Sequence, residues 1–303
     1  MDQASKLRQL MGNEDNKQLT DIEYGNSNAK VIVVTSGKGG VGKTSFSVNA
    51  AMEFARKGKK VVVFDADFGL ANVEVMLGIR PKYNLLDLIH NNMSMEDIIT
   101  QGPENIGFIS GGSGVSELAT LDNDSIKLLI SKMVQLDKMY DIVIIDTGAG
   151  ITDSVMEFVL VAPEVVLVVT PEPTSITDSY SLLKVLRRKD KFDPLFKTIN
   201  VVVNRASSED EGIEVFNKIN TVSSKFLNID LKYMGFVPQD KNASYAVIEQ
   251  KPVVSAYPMS PASKAIAEIA DKLFLDDRDE YEKKEGIARV FLNFIKSKRK
   301  KIK

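Results

Sequence analysis

Gly37-Lys38-Gly39-Gly40-Val41-Gly42-Lys43-Thr44 is the stretch that decides the fold of this 303-residue chain. It fits the pattern G-x-x-x-x-G-K-[ST], and its surroundings fit as well. The apolar run Val31-Ile32-Val33-Val34 precedes it as a predicted strand, and a helical pattern follows from Ser45 to Lys57. Four glycines let the loop fold back so that its backbone N–H groups point inward at an anion. The helix behind it adds the positive end of its dipole. Residues Gly37 through Ser45 are therefore a candidate phosphate cradle. Lys43 would reach the β- and γ-phosphates, and the Thr44 hydroxyl would ligate Mg²⁺.

Working outward, further apolar runs alternate with helical patterns. Val61-Val62-Val63-Phe64 reads as a buried parallel strand that ends in Asp65 and Asp67. Carboxylates at the C-terminal end of a strand sit where an open α/β sheet keeps its ligands. One of the two could instead cap the following helix, an alternative that stands for Asp65. Ile106–Ser110 is another strand, and Asp124–Asp137 has helical spacing. Tyr140-Asp141-Ile142-Val143-Ile144-Ile145-Asp146 has the form of a Walker B strand, which places Asp146 to hold Mg²⁺ through water. Val165–Val169 is another buried strand, the run from Thr198 is a strand ending in Asn204, and Ser260-Pro261 opens a closing helix with Ser260 as N-cap. Strands and helices interleave from about 30 to 275 without a linker. The expectation is an α/β fold, one doubly wound, mostly parallel sheet over residues 29–275.

Lys38 is not required by an ordinary phosphate loop. With it, Lys38-Gly-Gly-Val-Gly-Lys43-Thr44 resembles the deviant Walker A of the ParA/MinD family of dimeric ATPases. That resemblance implies ATP and Mg²⁺ as ligands and a homodimer in which Lys38 reaches the partner's phosphates, a cation supplied in trans. Asp65-Ala-Asp67-Phe-Gly-Leu-Ala-Asn72 resembles the family's switch I, and Thr147-Gly-Ala-Gly-Ile151 its switch II. By resemblance Asp67 positions the hydrolytic water, Asp65 supports the metal shell, and Glu172 lies at the dimer interface against the partner's nucleotide. Asn204, followed by Arg205, would hydrogen-bond the adenine edge, the alternative being a turn-forming asparagine. The segment through Pro238 and Asp240 would line the purine. The catalytic candidates are thus Lys38, Lys43 and Asp67, and the metal candidates Thr44, Asp65, Asp67 and Asp146.

The two ends differ from the centre. Residues 1–28 are polar and contain one short amphipathic stretch, Asp2 to Met11, with Leu7, Leu10 and Met11 on one face. Asp2-Gln3-Ala4-x-x-Leu7-Arg8 resembles the activator helix of the FlhG (YlxH) family, MinD-type ATPases of flagellar number and placement. The resemblance implies that Gln3, Leu7 and Arg8 contact the signal-recognition-type GTPase FlhF, and that flagellar switch-complex proteins are further partners. Residues 276–303 form an acid-rich linker and a basic amphipathic helix. Ile287, Val290, Phe291, Phe294 and Ile295 share one stripe, with Lys298 and Arg299 among the basic residues at the far end. This pattern predicts a helix lying on an anionic membrane surface. The alternative is a helix docked on its own domain.

Composition narrows the classes. Hydrophobic content of 44% is ample for a core, and the absence of cysteine excludes disulfides, thiol nucleophiles and Cys-based metal sites. The net charge is −2, yet residues 289–303 hold seven Lys/Arg and no acid, leaving −9 for the rest. No apolar run approaches the ~20 residues of a bilayer span, and no signal-peptide core is present. The expected location is cytoplasmic, peripheral to the inner leaflet when ATP is bound. Nucleic-acid binding is disfavoured, because Phe291 and Phe294 belong to the apolar stripe rather than a stacking platform. Competing readings are a MinD-type division-site ATPase, a ParA-type partition ATPase, and a nucleotide-gated adaptor with negligible hydrolysis.

Overall fold

Val31-Ile32-Val33-Val34 forms the centre of β1 (Lys30–Thr35), a strand with all six residues buried. Such a strand is covered on both faces, which is why its sequence runs apolar without alternation. The computed structural model describes residues 29–67, 72–112, 115–190, 192–194, 197–275 and 286–302. Its sheet has eight strands: β1, β2 (Val61–Ala66), β3 (Thr100–Gln101), β4 (Gly107–Ser110), β5 (Ile142–Thr147), β6 (Glu164–Val169), β7 (Thr198–Ala206) and β8 (Lys232–Pro238). Their order is β3-β4-β2-β5-β1-β6-β7-β8. All neighbours pair in parallel except the two-residue edge strand β3, which is antiparallel to β4. The doubly wound, mostly parallel sheet read from the pattern is the observed one.

The strand pleat divides the core in two. Ile32, Val34, Val61, Val63, Ile142 and Ile144 face α1 (Lys43–Arg56) and the closing helix Pro261–Leu275. Val31, Val33, Val62, Phe64, Val143 and Ile145 face the other layer. That layer includes α2 (Asn123–Met139), α3 (Asp153–Val161), α4 (Pro173–Arg187) and α5 (Glu209–Leu227), and the closing helix opposite is α6. Ser260 caps α6 as read, its hydroxyl accepting the Ser263 N–H at 3.2 Å.

The basic amphipathic helix, α7 (Ile287–Ile302), corrects one expectation. Ile287, Val290, Phe291, Phe294 and Ile295 do not face outward for a membrane, and all five are buried in the second layer. Phe291 meets Phe64 of β2 edge-on at 5.2 Å, and Phe294 stacks on Phe158 of α3 at 4.3 Å. The helix therefore covers part of the sheet, beside α2 and α3. Its basic end is held too: Lys298 Nζ donates to Ser154 Oγ at 2.9 Å, and Arg299 donates to Asn123 Oδ1 at 2.8 Å and to the Leu121 carbonyl. The physical reason is that Phe64 and Phe158 present apolar surface that requires cover, and the nearest apolar stripe is intramolecular. Among the described residues, no helix is long and apolar enough to cross a membrane. Gln3, Leu7 and Arg8 lie outside the described residues, as do Phe68–Ala71 of the candidate switch I and the linker 276–285.

Candidate functional site

The C-terminal ends of β1, β2 and β5, adjacent in the sheet, converge on the loop 37–44. Gly40 and Gly42 take left-handed backbone angles, φ 75° and 95°, which ordinary side chains disfavour. Gly42 is the N-cap of α1 and offers no side chain to the first N–H groups of that helix, so these stay available to an anion. Gly37 needs its missing side chain for a different reason. A Cβ there would lie 2.2 Å from the backbone carbonyl carbon of Asp178, so the loop rests directly on α4.

Asp146, at the end of β5, is fully buried. Its Oδ2 accepts from Thr44 Oγ1 at 2.6 Å and its Oδ1 from Ser47 Oγ at 2.7 Å. Burial pushes its carboxyl up to about 6, against the pull of both hydroxyls and of Lys43. Asp65, likewise buried, is pushed up to about 8, first by burial and next by the Asp146 charge. The backbone N–H groups of Asp67 and Val73, at 3.0 and 3.3 Å, hold it down only in part. Lys43 is buried and its ammonium is lowered by that burial, with Asp146 and Asp67 opposing. Asp67 accepts from Asn72 Nδ2 at 3.1 Å, and its Oδ1 lies 3.4 Å from where a Cβ on Gly148 would stand. The structure thus brings Lys43, Thr44, Asp65, Asp67 and Asp146 into one cluster. Burial disfavours the ionised form of these two neighbouring carboxyls, and a divalent cation would restore it, so the donor set fits Mg²⁺ beside a phosphate.

The raised carboxylates have a consequence for stability. A carboxyl whose folded value exceeds its unfolded value, near 3.8, stabilises the fold fully below the unfolded value and loses that contribution as pH rises. The nucleotide-free, metal-free protein is expected to lose stability between about pH 4 and pH 8. Urea midpoints at pH 6 and pH 8 measure it: the midpoint should fall, and Asp65→Asn should remove most of the fall.

Around this cluster the remaining candidates have other partners. Lys38 Nζ donates to Glu172 Oε2 at 2.5 Å and to Thr174 Oγ1 at 2.9 Å on the exposed rim, and that lysine holds the Glu172 carboxyl below its usual range. Asn204 Nδ2 donates to the Val41 carbonyl at 2.7 Å, while its Oδ1 accepts the Arg205 N–H at 3.0 Å. Both ends of that amide are engaged, so here it anchors the loop to β7. Gly42 permits the approach, because a Cβ there would stand 2.3 Å from Asn204 Nδ2. Arg205 is exposed with a left-handed φ of 60°. Pro238 ends β8 beside Ala206. Asp240 caps Lys241–Ile248 through the Asn242 N–H at 2.8 Å and accepts the Ala262 N–H of α6 at 3.1 Å. Its carboxylate thus joins two helix starts. Thr174 and Ser47 were not among the sequence candidates. Ser47 was legible in principle, as a hydroxyl one helical turn after Thr44.

A family model named ParA, described as NUBPL iron-transfer P-loop NTPase, matches residues 27–274. The chain is 41% identical over 244 residues to "Antiactivator FleN" of Pseudomonas aeruginosa, covering 80% of this chain and 86% of that protein. It is 32% identical over 273 residues to "Flagellum site-determining protein YlxH" of Helicobacter pylori, covering 89% and 90%. Among solved structures, a chain of the MinC:MinD cell division protein complex from Aquifex aeolicus superposes with a TM-score of 0.63 at 26% identity, covering 85% of this chain and all of that one.

Proposed function

Because this chain belongs to the ParA family of P-loop NTPases, we propose that it is a Mg²⁺-dependent ATPase switch that pairs two copies when ATP is bound and separates them after hydrolysis. The observation that carries this reading is the placement of two lysines on one loop. Lys43 lies buried among Asp146 and Asp67, whereas Lys38 stands at the exposed rim, bound only to groups in solvent. A lysine in that position is free to exchange its partner for phosphate oxygens across a dimer.

The residues divide the work by position. The backbone of 37–44 and the start of α1 bind the phosphates, and Lys43 adds a positive charge to them. Thr44, Asp146 and Asp65 would hold Mg²⁺. The bound ion supplies charge compensation on the phosphate oxygens. Asp67, which lies over Gly148 of the candidate switch II, would orient an attacking water. Glu172, freed when Lys38 crosses, would face the partner's nucleotide.

The output we assign is control of flagellar site and number through protein contacts: FlhF through Gln3, Leu7 and Arg8, and flagellar switch-complex components. Support comes from the Asp2–Arg8 motif and from the similarity to the flagellum site-determining protein YlxH. Membrane contact belongs to the same reading, with a condition set by the docked α7. Its apolar residues contribute about 1.5–3 kcal/mol each by burial, so the helix leaves its seat only if lipid or dimer contacts offset that. Two tails on a dimer gain by effective concentration.

The test is sedimentation of the full chain with vesicles of anionic phospholipid, with ATP and with ADP, alongside hydrolysis measured against protein concentration. ATP-dependent pelleting and a per-subunit rate that rises with concentration are expected. Equal pelleting in both nucleotides would remove nucleotide control of the membrane step. Hydrolysis that never exceeds background would turn the chain into a nucleotide-gated adaptor.

A further inference from the structure

The phosphate-loop motif ends at Thr44, yet the structure places a second hydroxyl on the same carboxylate. Thr44 and Ser47 are one helical turn apart on α1 and so share a face. They divide Asp146 between them, Thr44 on Oδ2 at 2.6 Å and Ser47 on Oδ1 at 2.7 Å. Both distances are those of short hydroxyl-to-carboxylate hydrogen bonds. The two hydroxyls differ in surroundings. Thr44 is half-buried beside the open loop, whereas Ser47 is fully buried behind it and also lies 3.1 Å from the Lys43 carbonyl. Ser47 is closed to solvent, whereas Thr44 is partly open to it.

We propose that Ser47 is a positioning residue for the metal site: it fixes the plane of the Asp146 carboxylate so that Oδ2 and Thr44 are presented to Mg²⁺ together. Torsion about the last bond of an aspartate is broad, so a carboxylate held at one oxygen can turn. With Ser47 bound at Oδ1, that freedom is gone before the ion arrives. The cost of ordering the site is then met in the folded apo protein rather than at binding. Ser47 matters for a second reason. Asp146 is closed off from water, so without the serine Oδ1 would be a buried acceptor with no donor. This inference rests on the reading of Thr44 and Asp146 as the Mg²⁺ site.

The experiment measures binding of a fluorescent ADP analogue to the full chain with Mg²⁺ and with EDTA, and compares the two affinities. Ser47→Ala is expected to cut the Mg²⁺-dependent gain in affinity about ten-fold or more while the EDTA value stays within about two-fold. Ser47→Thr, which keeps the hydroxyl, should retain most of the gain. Thermal melting of each nucleotide-free variant reports whether it folds. An unchanged Mg²⁺ gain in folded Ser47→Ala overturns the proposal. So does an equal loss with Mg²⁺ and with EDTA, since that would mean a general defect of the loop. Asp146→Asn separates the two levels. If it leaves the Mg²⁺ gain intact, the metal-site reading itself is wrong. If it abolishes the gain and Ser47→Ala does not, only the role of Ser47 fails.

Discussion

Phe291→Ala is expected to destabilise the nucleotide-free protein by about 3–5 kcal/mol in the absence of any lipid, the cost typical of emptying a core aromatic site. Phe291 is buried at the junction of β2 and α3, with its ring 5.2 Å from Phe64 and 5.8 Å from Phe158. Truncation removes the central ring of this group and leaves a cavity against the sheet. Urea unfolding followed by circular dichroism measures the change. A helix whose apolar stripe waited in solvent for a membrane would give a different answer, because surface substitutions usually fall within about 0.5 kcal/mol. A shift that small would return α7 to the membrane-only reading.

The second large effect concerns turnover. Lys38→Ala is expected to lower the ATP hydrolysis rate by about 10³-fold, the lower range seen when a cation supplied in trans is lost, while ATP affinity changes by only a few-fold. The separation of the two effects follows from the geometry. Lys43 occupies the buried centre of the cluster and remains there, whereas Lys38 is bound to Glu172 and Thr174 at the rim. A loss confined to affinity would make Lys38 an ordinary contact to its own nucleotide. Mixing Lys38→Ala with Asp67→Ala, a variant expected to be inactive on the proposed role of Asp67, gives a sharper outcome. Each variant lacks what the other supplies, so mixed dimers should regain hydrolysis at one of their two sites if the lysine acts across the interface. No regain in a mixture that still dimerises would place Lys38 in its own site.

Local pattern made much of this molecule legible. Val31–Val34, Val61–Phe64 and Ile142–Ile145 read as doubly covered strands because a run without alternation has no solvent face. The loop 37–44 was readable because its glycines and lysine are needed at fixed spacing, and the Asp146 site because a strand end has one possible address in such a sheet. What could not be read were choices among partners. Asp240 as a clasp between two helix starts, Asn204 as an anchor for the Val41 carbonyl, and Ser47 on Asp146 join residues 22, 163 and 99 positions apart. Polarity says that such groups need hydrogen bonds and leaves open which ones.

The amphipathic tail shows the same division most plainly. The spacing of Ile287, Val290, Phe291, Phe294 and Ile295 by itself determined that a helix would form with one apolar face requiring cover. Lipid and protein cover such a face equally well, since the hydrophobic effect has no direction. Only the tertiary structure decided, because it alone places Phe64 and Phe158 beneath that face.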